Sequence, residues 1–415
     1  MMKKFPPTFL CVLCALSIRF MLGHMQQQEV NVHIFIHGTR CSGLAAVSAI
    51  SVIRNKVKNY HLYAKAIQKA RTDTRFYDSQ IMLKKGLVEV SHETIMQCHK
   101  NNLPIEKARQ TAIQAIKGYD ELTNNKAINR YYTYGWDGML SDEDRKNDSR
   151  ALYLALVSLS EELRKRYPTD NIKFILHGHS HGGNLILYMS VHEKELKQNL
   201  IIDKTILYGT PIQTETAYFC IDPMFTTIIN IHSEGDSIQV SDKISTPSKT
   251  SKRRLSDFVD CAQFNNGKKH LIDVRISANG NSKAFSHASY FLMNMYNNIG
   301  SSIKNPALRE LSPLPLATYS PLFMNLIDKI SEKNARCSFI DLNFESHAPN
   351  QCTIRAQVPD LYICIRSENI APQIKSMRER VEKTWRPHAR YGHAKIALLA
   401  AEDLIKAIPE YFKRS

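Results

Sequence analysis

Long uninterrupted apolar runs are missing from this chain of 415 residues. The most apolar stretch near the amino end, Phe9 through Ile18, is too short to span a membrane comfortably, and Arg19 closes it. A polytopic membrane protein is therefore excluded, and at 43% hydrophobic the chain is not a disordered one either. Cys-x-x-Cys occurs only at Cys11 and Cys14, and the other cysteines are scattered without metal-ligand spacing, so redox catalysis has no support. No nucleic-acid motif accompanies the formal charge of +16, and the basic residues are spread along the chain. They read as a solvated basic surface, with no nucleic-acid partner expected.

What is present begins with Met1-Met2-Lys3-Lys4 and the short apolar run behind it, a basic then apolar order typical of an export signal or amino-terminal anchor over 1–25. The expectation is an exported or membrane-associated protein. With such a leader removed, seven cysteines remain: Cys41, Cys98, Cys220, Cys261, Cys337, Cys352 and Cys364. They read mostly as buried thiols, with Cys337 and Cys352 the candidate bridge in an oxidising compartment.

The most informative stretch is Ile172-Lys173-Phe174-Ile175-Leu176-His177-Gly178-His179-Ser180-His181-Gly182-Gly183-Asn184. An apolar run ends in a serine with Gly178 two positions before and Gly182 two after, and an apolar helical pattern follows. A strand, a tight turn and a helix start of this kind can hold a serine hydroxyl clear of the sheet end, glycine being needed where a Cβ would collide. The first amides of the helix are unpaired and electropositive, so an oxyanion could be held there.

Read in order, residues 30–36 form a buried parallel strand that ends at His37-Gly38-Thr39-Arg40. Helical patterns follow at 44–57, 60–70 and 105–122, with no strong strand expected until 130–136. This predicts a helical insertion over about 60–128, its least regular part, 80–92, folding over the site. A helix over 149–167 with Leu152, Leu156, Leu159 and Leu163 on one face precedes strand 172–176. A helix over 183–196, strands 205–208, 226–232 and 271–276, and an exposed basic loop holding Lys252, Arg253, Arg254, Lys268 and Lys269 continue the alternation. The fold class is α/β, a mostly parallel sheet flanked by helices.

Two strand ends after the serine carry chemistry. Strand 226–232 leads to Glu234-Gly235-Asp236, and strand 271–276 is followed by Ser286-His287. Serine needs a base within hydrogen-bond reach and the base a carboxylate to fix it, which nominates His287 and Asp236. Glu234 and Asp222 are the reserve acids, and His270 is the competing base. His177, His179 and His181 alternate as metal ligands on a strand would, but the turn breaks that alternation and no metal is expected.

This order of serine, acid and histidine on successive strand ends, behind a His-Gly loop, resembles the α/β-hydrolase superfamily and its lipase and esterase-like members, over about 30–300. The resemblance implies a serine hydrolase using Ser180, Asp236 and His287, with the backbone amides of Thr39 and His181 as the oxyanion hole and Gly38, Gly178 and Gly182 as motif glycines. It implies no cofactor, a small-molecule or lipid ester as substrate, and peripheral membrane contact. An inert hydrolase-like effector and an acyltransferase using the same nucleophile are the alternatives. Pro306, Pro313, Pro315 and Pro321 mark a joint, beyond which strands at 338–342, 352–356 and 361–365 and a helix at 394–408 suggest a small α+β extension over 301–415, or a wrap that covers the sheet.

Overall fold

The computed structural model describes residues 28–38, 86–90, 127–136, 138, 141–242, 245–265, 269–285, 287, 320–334, 336–348, 351–358 and 361–366. In chain order their strands are β1 (Glu29–Ile36), β2 (Gly86–Glu89), β3 (Ala127–Gly135), β4 (Asn171–His179), β5 (Ile202–Tyr208), β6 (Ile212–Gln213), β7 (Phe225–His232), β8 (Ser251–Lys252), β9 (His270–Ala278), β10 (Phe339–Ala348), β11 (Gln351–Val358) and β12 (Leu361–Arg366). The longer helices are α1 (Asp142–Arg166), α2 (His181–Leu196) and α3 (Ser320–Lys333). Apart from β6 and β8, which pair with each other, all strands join one ten-stranded sheet in the order β12-β11-β10-β9-β7-β5-β4-β1-β3-β2. Every pairing from β3 across to β10 is parallel, and the sheet turns antiparallel at both ends.

Parallel strands covered on both faces need apolar residues at consecutive positions, which β1 supplies with Val30, Val32, Ile34, Phe35 and Ile36, all buried. Each such side chain stabilises the fold by roughly 1.5–3 kcal/mol. The chain leaves β1 toward β3 on one side and returns through β4 on the other, so the sheet order reverses between β1 and β4. At such a reversal the strand ends splay and leave a crevice. His37 and Gly38 follow β1, and Ser180 follows β4.

Helix α1 begins earlier than the leucine stripe predicts, because Ser141 caps it by accepting from the Asp144 amide at 3.4 Å and Asp142, Glu143 and Asp144 complement the helix dipole. Its Leu152, Leu156, Leu159 and Leu163 are buried, and the Ser149 hydroxyl donates to the Leu185 carbonyl of α2 at 2.7 Å.

Three expectations are corrected. A strand does lie between β1 and β3: β2 is hydrogen-bonded antiparallel to β3, because the edge of β3 offers unpaired backbone groups that a short segment can satisfy. The rest of the expected helical insertion lies outside the described residues, as do the leader, the helix at 394–408, Thr39, Cys41, Cys98 and Lys268. The carboxyl-terminal strands do not form a separate module, since β10 pairs in parallel with β9 and extends the same sheet. Third, Cys337 is a buried free thiol whose Sγ donates to the Phe339 carbonyl at 3.4 Å, so it takes no part in a bridge.

Candidate active site

Ser180 sits between β4 and α2 with φ 54° and ψ −130°, a backbone conformation that L residues rarely adopt. The sharp turn is possible because the flanking glycines let backbone segments touch. A Cβ on Gly178 would lie 2.8 Å from the Gly183 Cα, and one on Gly182 would lie 2.6 Å from the His37 carbonyl oxygen. The loop after β1 presses on the same point, since a Cβ on Gly38 would come within 2.6 Å of the Ser180 Cβ. The residue after it, Thr39, lies outside the described residues. His181 is the first residue of α2, so its amide has no partner within that helix.

Asp236 lies in the loop after β7 and His287 beyond β9, and the structure brings both to Ser180. The His287 Nε2 is 2.8 Å from the Ser180 Oγ, and its Nδ1 is 2.8 Å from the Asp236 Oδ2. A carboxylate only accepts, so Nδ1 carries the proton and Nε2 offers its lone pair to the serine hydroxyl. Asp236 is fully buried, and its Oδ1 also accepts from the Gln239 amide at 3.2 Å.

The two loops that carry these groups are joined by contacts with no short-range sequence signature. A Cβ on Gly235 would lie 2.3 Å from the Lys283 carbonyl oxygen, so the acid loop packs directly on the segment leading to His287. The Ser233 hydroxyl and the Glu234 amide both donate to the Ser282 carbonyl, at 2.8 and 3.1 Å.

The alternative residues stand elsewhere. His270 starts β9, at the opposite strand end from Ser180. Asp222 precedes β7, where it accepts from the Ser190 hydroxyl at 2.7 Å, and Glu234 pairs with Arg275 at 3.2 Å.

The histidine triplet splits three ways. His177 is buried in the sheet, stacked on Phe35 with its Nε2 3.2 Å from the His33 Nδ1, so it supports the core rather than lining the pocket. The His179 ring lies against that of His287, tilted by 33° with ring centroids 5.1 Å apart. Burial, then the neighbouring His287, push its pKa well below the ordinary histidine value, so it stays neutral. The His181 ring turns to Asp242, 3.0 Å away. Burial works to raise the Asp242 carboxyl, but His181, Ser245 and Arg145 outweigh it and hold the group well below the carboxylate range. Arg145 is itself fully buried, donating to Gln213 at 3.1 Å and to the Ser245 carbonyl at 2.7 Å. No sequence pattern announces this polar network under the start of α2, because its members come from four separate segments. Among the described residues no group of His, Cys, Asp and Glu is arranged to hold a metal.

No family model and no curated protein sequence matches the chain. A solved structure named "putative cell surface hydrolase from Lactobacillus plantarum WCFS1" aligns over 88% of this chain and 98% of its own at 11% identity and a TM-score of 0.22. A likeness at that score carries no argument about activity. The protein's own geometry is that of an α/β sheet with a serine, a histidine and a carboxylate hydrogen-bonded in series at its carboxyl edge.

Proposed function

We propose that this chain is a serine hydrolase of the α/β-hydrolase type that cleaves a carboxylic ester, of a small molecule or a lipid, through an acyl-enzyme on Ser180. The observation that carries the reading is the unbroken series from the Ser180 Oγ through His287 to Asp236, 2.8 Å at each step. In this mechanism the His287 Nε2 takes the hydroxyl proton as Oγ adds to the ester carbonyl carbon. Asp236 keeps the ring oriented and stabilises the imidazolium. The negative charge that develops on the carbonyl oxygen falls to the His181 amide at the start of α2 and, by resemblance, to the Thr39 amide. Collapse of the adduct expels the alcohol with the proton from His287. Water, activated by the same ring, then releases the acid and restores Ser180.

The deep burial of Ser180 and Asp236 supports the same reading, since charge interactions strengthen where water is scarce. Export or association with a membrane surface, suggested by the amino-terminal run, belongs to the proposal and fits a lipid-derived ester.

A fluorophosphonate probe tests the chemistry. The folded wild type is expected to label, Ser180→Ala to abolish labelling, and His287→Ala to slow it by about 10³-fold or more while His270→Ala leaves it unchanged. A folded wild type that fails to label refutes the enzyme reading.

A further inference from the structure

Behind the acid loop lies a second cleft, of about 720 Å³, that the triad does not use. It is lined by Lys252, Arg253 and Arg254 around β8, by Arg275 and Lys283 around the end of β9, and by His232 at the end of β7. Glu234 and Asp257 are the carboxylates in its wall, and Val240 and Phe339 add apolar surface. Arg254 is neutralised by Asp257, and Arg275 by Asp341 at 2.6 and 2.9 Å and by Glu234 at 3.2 Å. Lys252, Arg253 and Lys283 make no close ion pair among the described residues, and Lys283 acts on Glu234 only through a longer-range attraction, so the cleft keeps an excess of positive charge.

His232 gives the second, independent sign. Its side chain lines the cleft yet is only 3% exposed, and neither ring nitrogen has a hydrogen-bond partner among the described residues. Burial and the adjoining guanidinium groups hold the ring neutral against the opposing pull of Asp273, so one nitrogen carries a proton and the other does not. A buried N–H left unbonded is costly, and a native protein normally gives it an acceptor.

We infer that this cleft is a binding site for a phosphomonoester group, seated between Lys252, Arg253 and Lys283 with the His232 ring donating to one of its oxygens. A phosphate dianion supplies enough acceptors for two ammonium groups, a guanidinium and an imidazole at once, and its charge matches the excess. A single carboxylate, with two oxygens and one negative charge, matches four donors and that excess less well. The volume leaves room for the organic part of the ligand, over which Val240 and Phe339 lie. The site is joined to the triad through Arg253, whose Nε donates to the Asp236 carbonyl at 3.1 Å. The phosphate is either free in solution or the headgroup of a lipid, and the test separates the two.

The full chain is titrated calorimetrically with inorganic phosphate against chloride at matched ionic strength, and sedimented with phosphatidylcholine vesicles with and without phosphatidic acid. The expected result is saturable binding of phosphate, of phosphatidic acid vesicles, or of both, weakened about tenfold or more by Lys252→Ala with Lys283→Ala and by His232→Phe. Arg150→Ala, which removes an exposed cation on α1, leaves it unchanged. Binding of the vesicles alone assigns a lipid headgroup, and binding of free phosphate alone a soluble phosphomonoester. The two lysines are exposed, so their replacement leaves the fold intact and keeps the test decisive if His232→Phe unfolds. Binding of neither probe, or binding that the lysine pair leaves untouched, overturns the site.

Discussion

At the scale of single residues, the turn at Ser180 combines a backbone conformation costing about 1–3 kcal/mol with glycines that have no room for a side chain. The tightest is Gly183, where a Cβ would lie 2.1 Å from the Thr210 Oγ1 and 2.8 Å from its Cγ2. Gly183→Ala is therefore expected to destabilise the fold by about 1–3 kcal/mol in urea unfolding. Thr210→Ala removes both atoms, and the Thr210 Oγ1 makes no hydrogen bond among the described residues, so the double variant should recover part of that loss. No recovery would place the strain elsewhere. The three side chains that meet here were legible as a set because each follows an apolar strand run, and parallel strands deliver such ends to one edge. The contacts of Gly235 with Lys283 and of Glu234 with Ser282 were not legible, because they join residues about fifty positions apart through backbone atoms that every residue possesses.

At the scale of elements, the sheet is continued by strands that look separable in the sequence. The runs at 338–342, 352–356 and 361–365 announce strands, but period and β-propensity are silent on which edge they join. The prolines up to Pro321 mark a joint in the sequence, whereas in the structure Pro321 is the second residue of helix α3. Proline in the first turn of a helix removes no hydrogen bond, and here Phe323, Leu326, Ile327 and Ile330 form a buried stripe behind it. The Lys204 ammonium of β5 reaches Asp328 of α3 at 2.7 and 2.9 Å, fastening the helix near the middle of the sheet. A chain ending near residue 300 would lose α3 and strip β10 from β9, exposing a row of backbone groups and apolar side chains. Such a chain should be insoluble or aggregate in size-exclusion chromatography. A soluble monomer with intact thermal stability would mean that the carboxyl-terminal elements are dispensable.

For the whole molecule, acid is the condition to which the fold is most exposed. Burial lowers the pKa of His33 to about 3, with Lys204 adding to it, and lowers that of His232 to about 4. His177, His179 and His181 are shifted the same way, again chiefly by burial. In the unfolded chain these rings titrate near 6.5, so below that value the unfolded state takes up protons that the folded state refuses. Stability is therefore fully present above about pH 6.5 and falls as the pH drops toward the folded values, by about 2 kcal/mol at pH 5 for each of His33 and His232. Urea midpoints at pH 7.5 and pH 5 measure this, and an equal or higher midpoint at pH 5 would contradict neutral buried rings. The separation of the site residues along the chain has a further consequence, for the order of events in folding. Ser180 and His287 are 107 positions apart, and β7 must be seated on β5 and β9 on β7 before Asp236 and His287 can meet the Ser180 hydroxyl. Closing loops of that length is slow, so a newly made chain would complete most of its secondary structure while Ser180 was still an ordinary alcohol. On the proposed function, reactivity would then arrive last, as a late checkpoint on assembly.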